Sequence, residues 1–330
     1  MPLTVSPVVK APLWLPGGHL QTIYPALTRQ TDLPFSQGTA AIPTPDGDKL
    51  AADLYLQKTE SPRPLVILTH GLEGESKSPY ILGMAAACYS MGTDVAAWNF
   101  RGCGESTNTA YRFYHSGATD DLLTVINSLE AAYSEIILIG FSLGGNLTLK
   151  LLGELCSNHF PGTAELRKKV KLGIVFSVPC DLASSSAYLE RPADFIYERR
   201  FLRSLKSKVR KKAKFLPGKY DLKALDQVKT IREFDEHFTA PIHGFGNADN
   251  YYKMNSSKQF ISKLDLPVFM VNARNDPFLP QACFPESEAA ASEYFYLVAP
   301  KLGGHCGFGE EDGTYWSDRF VQELLGGRKY

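Results

Sequence analysis

No uninterrupted apolar run in the 330 residues reaches the roughly 18 positions that a bilayer-spanning helix needs, so none is expected. Met1–Lys10 has no charged stretch followed by an apolar one, and no secretory signal is expected either. Cysteine is scarce and scattered. Cys88, Cys103, Cys156, Cys180, Cys283 and Cys306 form no Cys-x-x-Cys pair. That excludes a thiolate metal knuckle and suits reduced thiols filling small core spaces in a cytoplasmic protein. The seven histidines do not pair at metal-ligand spacing and there is no glycine-rich phosphate loop, so neither a metal nor another cofactor is expected. Lys plus Arg equals Asp plus Glu at 35 each, and a net charge of zero argues against a general nucleic-acid binder.

What is present is an ordinary globular composition, 44% hydrophobic and 21% charged, in a chain long enough for an enlarged domain or a domain with an insertion. The most informative stretch is Ile136-Ile137-Leu138-Ile139-Gly140-Phe141-Ser142-Leu143-Gly144-Gly145. Its aliphatic start fits a strand buried on both faces, and Asn146–Leu152 beyond it fits a helix. A Gly-x-Ser-x-Gly turn between strand and helix holds a serine hydroxyl at the strand's C-terminal edge, with glycines leaving room for close backbone approach. By itself the pattern decides little, since about one chain of this length in ten carries it by chance. Partners must decide.

Strands alternate with helices from Pro64 onward. Leu65–Thr69, Val95–Phe100, Ile136–Ile139, Leu172–Val178, Val268–Asn272 and Tyr294–Val298 read as strands. Helices are expected over about Tyr80–Met91, Thr119–Ala132 and Tyr315–Leu325. This rhythm predicts an α/β fold with a mostly parallel central sheet covered by helices on both faces. Thr39–Pro43 and Leu50–Gln57 flank a turn and form an antiparallel hairpin. Asp120 and Asp121 fall in a first helical turn, where they favour the dipole. Residues 1–37, rich in proline and aromatics, read as an arm across the surface.

Between 181 and 263 the rhythm stops and the sequence turns helical. A structureless loop of that length would be unusual, so a cap is expected there, with 1–180 and 264–330 forming the core. Within it, Arg199–Lys214 holds nine basic residues and no acidic one, while Leu202, Leu205, Val209 and Ala213 recur at helical spacing. This predicts an amphipathic helix over 199–215 with a cationic face: a solvated lid surface, or a peripheral contact with anionic lipid or an acidic substrate.

A serine nucleophile needs a base and a group to orient it. Asp276 follows the penultimate strand and His305 follows the last, the order acid-then-base that this topology requires. In His70-Gly71-Leu72-Glu73-Gly74, after the first parallel strand, the N–H of Leu72 joins that of Leu143 as an oxyanion donor. His70 itself reads as a structural histidine bonded within its loop.

On these residues the chain resembles the YheT-like esterase branch of the α/β-hydrolases, related to animal α/β-hydrolase-domain lipid hydrolases. The likeness rests on Gly17-Gly18-His19-Leu20-Gln21-Thr22, His70–Gly74, Tyr114-His115-Ser116-Gly117 and Gly140–Gly145. Thr239-Ala240 with Gly244-Phe245, Asn275–Phe278 and Gly303-Gly304-His305 complete it, so it spans nearly the whole chain. The resemblance implies Ser142 as nucleophile, Asp276 as acid, His305 as base, a carboxylester or lipid-ester substrate and no cofactor. A thioesterase or amidase with the same triad, or a binding protein of this fold without chemistry, are the alternatives. One departure is Arg101-Gly102-Cys103-Gly104-Glu105, where the family commonly has Arg-Gly-Cys-Ser-Gly. Another is the N-terminal membrane anchor of the animal relatives, which is not expected here.

Overall fold

The computed structural model describes residues 6–32, 37–58, 62–105, 108–157, 159–191 and 193–327; the two ends of the arm and Pro192 lie outside them. The strands are β1 (Gln37–Pro43), β2 (Lys49–Tyr55), β3 (Leu65–Thr69), β4 (Asp94–Asn99), β5 (Ile136–Phe141), β6 (Val170–Phe176), β7 (Val268–Val271) and β8 (Phe295–Val298). They form one eight-stranded sheet in the order β1-β2-β4-β3-β5-β6-β7-β8. The β1–β2 and β2–β4 pairs are antiparallel and all others parallel.

Every residue of β3 and β5 is buried, because alternate side chains enter different apolar layers. Val66, Leu68, Ile137 and Ile139 share one layer with Met84 and Phe320. Leu65, Ile67, Ile136 and Leu138 share the other with Leu122 and Leu147. Those partners come from α2 (Pro79–Ser90) and the C-terminal helix on one side, and from α3 (Thr119–Leu129) and α4 (Leu143–Cys156) on the other. Truncating a leucine such as Leu147 to alanine in this setting costs about 2–5 kcal/mol.

The arm contains a helix that the sequence did not announce, α1 (Gly17–Thr28), with Pro25 inside it. After α4 come the short α5 (Ala164–Lys169) and β6. Between β6 and β7 lie α6 (Leu182–Leu189), α7 (Phe195–Phe215), α8 (Leu222–Gln227), α9 (Ile231–Phe234), α10 (Ala240–Ile242) and α11 (Ala248–Asn255). This segment has a small apolar centre of its own, built on Leu202, Leu205, Val209, Phe234 and Phe238. Its end is sewn to the core by Asn146, whose amide donates to the carbonyls of Ser116 and Asn255 at 2.9 Å and accepts from the N–H of Ser257. Last come α12 (Glu286–Ala291) and α13 (Trp316–Leu325).

The cations of α7 do not stay on one face. Lys206, Lys208 and Lys212 turn inward, to the carbonyl of Val228, to Glu73 and to the carbonyl of Arg112. In the departing loop, the Arg101 side chain is wholly buried among Asp46, Asp48 and Asp121. Asp121 therefore does more than favour a helix dipole.

Candidate active site

Ser142 leaves β5 at φ 54°, ψ −121°, a conformation that costs about 1–3 kcal/mol and persists only where surroundings dictate it. The surroundings are backbone. A Cβ on Gly144 would lie 2.2 Å from the carbonyl oxygen of His70, and one on Gly140 would lie 2.5 Å from that of Gly144. The Ser142 N–H donates to the carbonyl of Phe176 at 2.8 Å, which ties the turn to β6.

The structure brings the sequence-selected side chains together. His305 Nε2 lies 2.8 Å from Ser142 Oγ, and Nδ1 lies 2.8 Å from Asp276 Oδ2 and 3.1 Å from Oδ1. The carboxylate can only accept, so in the neutral imidazole Nδ1 carries the proton and Nε2 presents its lone pair to the serine hydroxyl. The N–H of Phe278 holds Asp276 Oδ1 at 2.8 Å. Burial works against a charged His305, but the charge of Asp276 outweighs it and holds the imidazole above its ordinary titration range. Phe278 lies against the imidazole at 4.1 Å, and Tyr197 of α7 meets Phe278 edge-on at 4.6 Å.

Around Leu72 the neighbouring N–H groups are taken. That of Gly71 donates to the Tyr80 hydroxyl at 2.9 Å and that of Glu73 to the Tyr114 hydroxyl at 3.1 Å. The Leu72 N–H has no acceptor among the described residues. Leu143 is the first residue of α4, where an N–H has no partner within the helix. His70 is fully buried; its Nε2 accepts from the N–H of Phe100, so Nδ1 donates to the carbonyl of Gly71.

Several contributors were not evident from the sequence. Glu73 accepts from the hydroxyls of Tyr114 and Ser204 and from Lys208, joining the Leu72 turn to α7. Ser177 Oγ accepts from the N–H of Cys306 at 2.8 Å. The larger surprise is α1. Gln21 Oε1 accepts from the amide of Asn275 and from the N–H of Gly303, and Thr22 Oγ1 accepts from the N–H of His305. Backbones meet there directly: a Cβ on Gly18 would sit 1.7 Å from the Asn275 carbonyl oxygen, and one on Gly307 2.0 Å from that of Gln21. The only advance signal was the Gly-Gly-His-Leu-Gln-Thr stretch itself.

A cleft of about 570 Å³ lies between this turn and α7, lined by Glu73, Cys103, Arg200, Ser204 and Lys208. Another, of about 660 Å³, is lined by His115, Lys150 and His243, and neither cleft counts Ser142, Asp276 or His305 in its lining. Among the described residues no three His, Cys, Asp or Glu side chains group as metal ligands. No described helix is long and apolar enough to cross a membrane.

Residues 64–312 match the family model described as the alpha/beta hydrolase fold. A protein of Escherichia coli (strain K12) named "Putative esterase YheT" is 32% identical, over 88% of this chain and 84% of its own. "Phospholipase ABHD3" of Mus musculus is 31% identical, over 83% of this chain and 67% of its own. Among solved structures, the Pyrococcus furiosus esterase Pf2001 is similar in fold, with a TM-score of 0.59 at 16% identity over 90% of this chain and 95% of that one.

Proposed function

The chain belongs to the α/β-hydrolase family, and on that footing we propose that it is a serine esterase cleaving carboxylic esters through an acyl-enzyme. One observation carries the reading: a single imidazole lies 2.8 Å from the Ser142 hydroxyl on one side and 2.8 Å from the Asp276 carboxylate on the other. Ser142 Oγ attacks the ester carbonyl carbon as its proton passes to His305 Nε2. The oxyanion that forms accepts from the N–H groups of Leu72 and Leu143, each such donor being worth about 3 kcal/mol. The imidazolium, steadied by Asp276, returns the proton to the departing alcohol. Water then attacks the acyl-enzyme with His305 again as base, and Ser142 is regenerated. No cofactor enters.

Segment 181–263 acts in this reading as a cap that selects the acyl group, since Tyr197 and Phe201 of α7 pack on Phe278 beside the base. A lipid ester is the favoured substrate class, in keeping with the apolar surroundings of His305 and the names of the relatives. Six free cysteines suit work in the cytoplasm.

The test pairs Ser142→Ala with a fluorophosphonate probe. The variant should lose turnover of a short p-nitrophenyl ester with its circular dichroism unchanged, and the probe should mark the Ser142 peptide only in the wild type. Persistent turnover in the variant, or a label on another residue, would refute the assignment. Comparing kcat/KM for matched ester, thioester and amide substrates then fixes the bond cleaved.

A further inference from the structure

Helix α1 is turned inside out. Its buried face is polar, with Gln21 and Thr22 gripping the loops that carry Asp276 and His305. Leu20, Ile23, Tyr24 and Leu27, which recur at helical spacing, face solvent instead, Leu27 with 74% of its surface exposed. Just before the helix, Leu13 is 89% and Trp14 62% exposed, and Trp14 packs edge-on against Tyr24 at 4.7 Å. The stripe continues onto α7: His19 Nδ1 and the Tyr197 hydroxyl lie 3.1 Å apart, and beside Tyr197 stand Phe195 and Ile196, both more than half exposed. Scattered apolar residues are common on protein surfaces, but a run of this kind marks a contact.

Charge identifies what it contacts. The first 31 residues contain no Asp or Glu. Along α7 the outer surface passes from Phe195 and Ile196 to Arg199, Arg200 and Arg203, all three exposed and without an ion pair among the described residues; the only acid of that helix, Glu198, is buried. An apolar ridge with an aromatic pair and a flank of cations is complementary to a bilayer with anionic headgroups. A second copy of the chain on the same face would bring cation against cation, which disfavours a two-fold dimer there.

We propose that the outer face of α1, with Leu13–Trp14 before it and the first turns of α7 beside it, docks on an anionic phospholipid surface. The apolar side chains enter the acyl boundary and Arg199, Arg200 and Arg203 meet phosphates. Arg199, Arg200 and Arg203 thus act as a rim to an apolar anchor supplied by the arm, and docking turns the side of the molecule that carries Tyr197, Phe278 and His305 toward the lipid.

Trp14 makes this measurable, because the other two of the three tryptophans, Trp98 and Trp316, are buried. Equimolar phosphatidylcholine–phosphatidylglycerol vesicles should shift Trp14 emission to the blue, and brominated lipid in them should quench it. Pure phosphatidylcholine should do so more weakly, and salt should weaken the anionic case. The Leu20→Glu/Leu27→Glu pair should lower partition by about tenfold or more, and Arg199→Glu/Arg200→Glu/Arg203→Glu by about a hundredfold on anionic vesicles; circular dichroism checks their folds. Unchanged wild-type emission with both vesicles, or equal partition into both, would overturn the proposal. So would a concentration-dependent dimer, seen by sedimentation, that Leu27→Glu dissociates.

Discussion

The backbone N–H of His305 donates to the hydroxyl of Thr22 at 2.8 Å, across 283 positions of chain. His305 is therefore held by its main chain from the arm and, through the N–H of Cys306, from Ser177 at the end of β6. Neither contact touches the imidazole. In the proposed mechanism Thr22 is a positioning residue, and Thr22→Val leaves its shape while removing the acceptor. We expect kcat to fall about tenfold with KM nearly unchanged, and Thr22→Ser to recover most of the loss. An equal loss in Thr22→Ser would assign the effect to packing rather than to this hydrogen bond.

The rate should rise with pH, because only the neutral imidazole accepts the serine proton. Asp276 holds His305 above its ordinary range, so the midpoint of the kcat/KM profile should lie above the usual histidine value of about 6.5. Asp276→Asn should move it down and lower kcat by about 10⁴. The same pairing makes an opposite contribution to stability. A raised folded value means that this contribution is complete below about pH 6.5 and is lost as pH rises through the folded value. The melting-temperature difference between wild type and His305→Gln, followed against pH, should shrink over the window in which activity grows.

Asp235 is buried, and that burial raises its carboxyl to about 6 although the Tyr252 hydroxyl donates to it at 2.8 Å. The folded state then holds the proton more tightly than the unfolded chain does. Stability should decline between about pH 4 and pH 6 by about 2–3 kcal/mol from this group. Denaturant unfolding of Asp235→Asn should show that slope removed and a more stable protein at neutral pH.

Arg101 neutralises a buried group of carboxylates, its Nε and Nη2 each 2.7 Å from Asp121. Arg101→Leu would leave Asp48 without its ion-pair partner and Asp121 with only the partly exposed Arg112. A loss of about 3–5 kcal/mol is expected, read as a lower denaturant midpoint. Adding Asp48→Asn and Asp121→Asn to that variant should restore part of it.

The core and the Ser142 turn were legible because their signals are local. A strand buried on both faces shows as consecutive aliphatics, and the elbow shows as glycines flanking one serine. Asp276 and His305 were legible by chain order, each following its strand. Gln21 and Thr22 were not, since a hydroxyl or an amide looks alike whether it faces water or a loop more than 250 residues onward. The Leu20–Leu27 stripe illustrates a different limit. Periodicity reveals that a helix has two faces, not which of them is turned to the core. On α7 the apolar positions did point inward, but long lysine side chains reached past them, so Lys206, Lys208 and Lys212 left the surface that spacing assigned to them.

The contacts of α1 have a consequence for biosynthesis. Gln21 and Thr22 on its inner face bond to segments around Asn275 and Gly303–His305, so at ordinary translation speeds Thr22 leaves the ribosome about 15–60 s before its partner is made. Through that interval the Gln21 and Thr22 side chains lack the N–H groups that they accept from in the folded chain. The first segment of the candidate site to be manufactured is the last to be fitted.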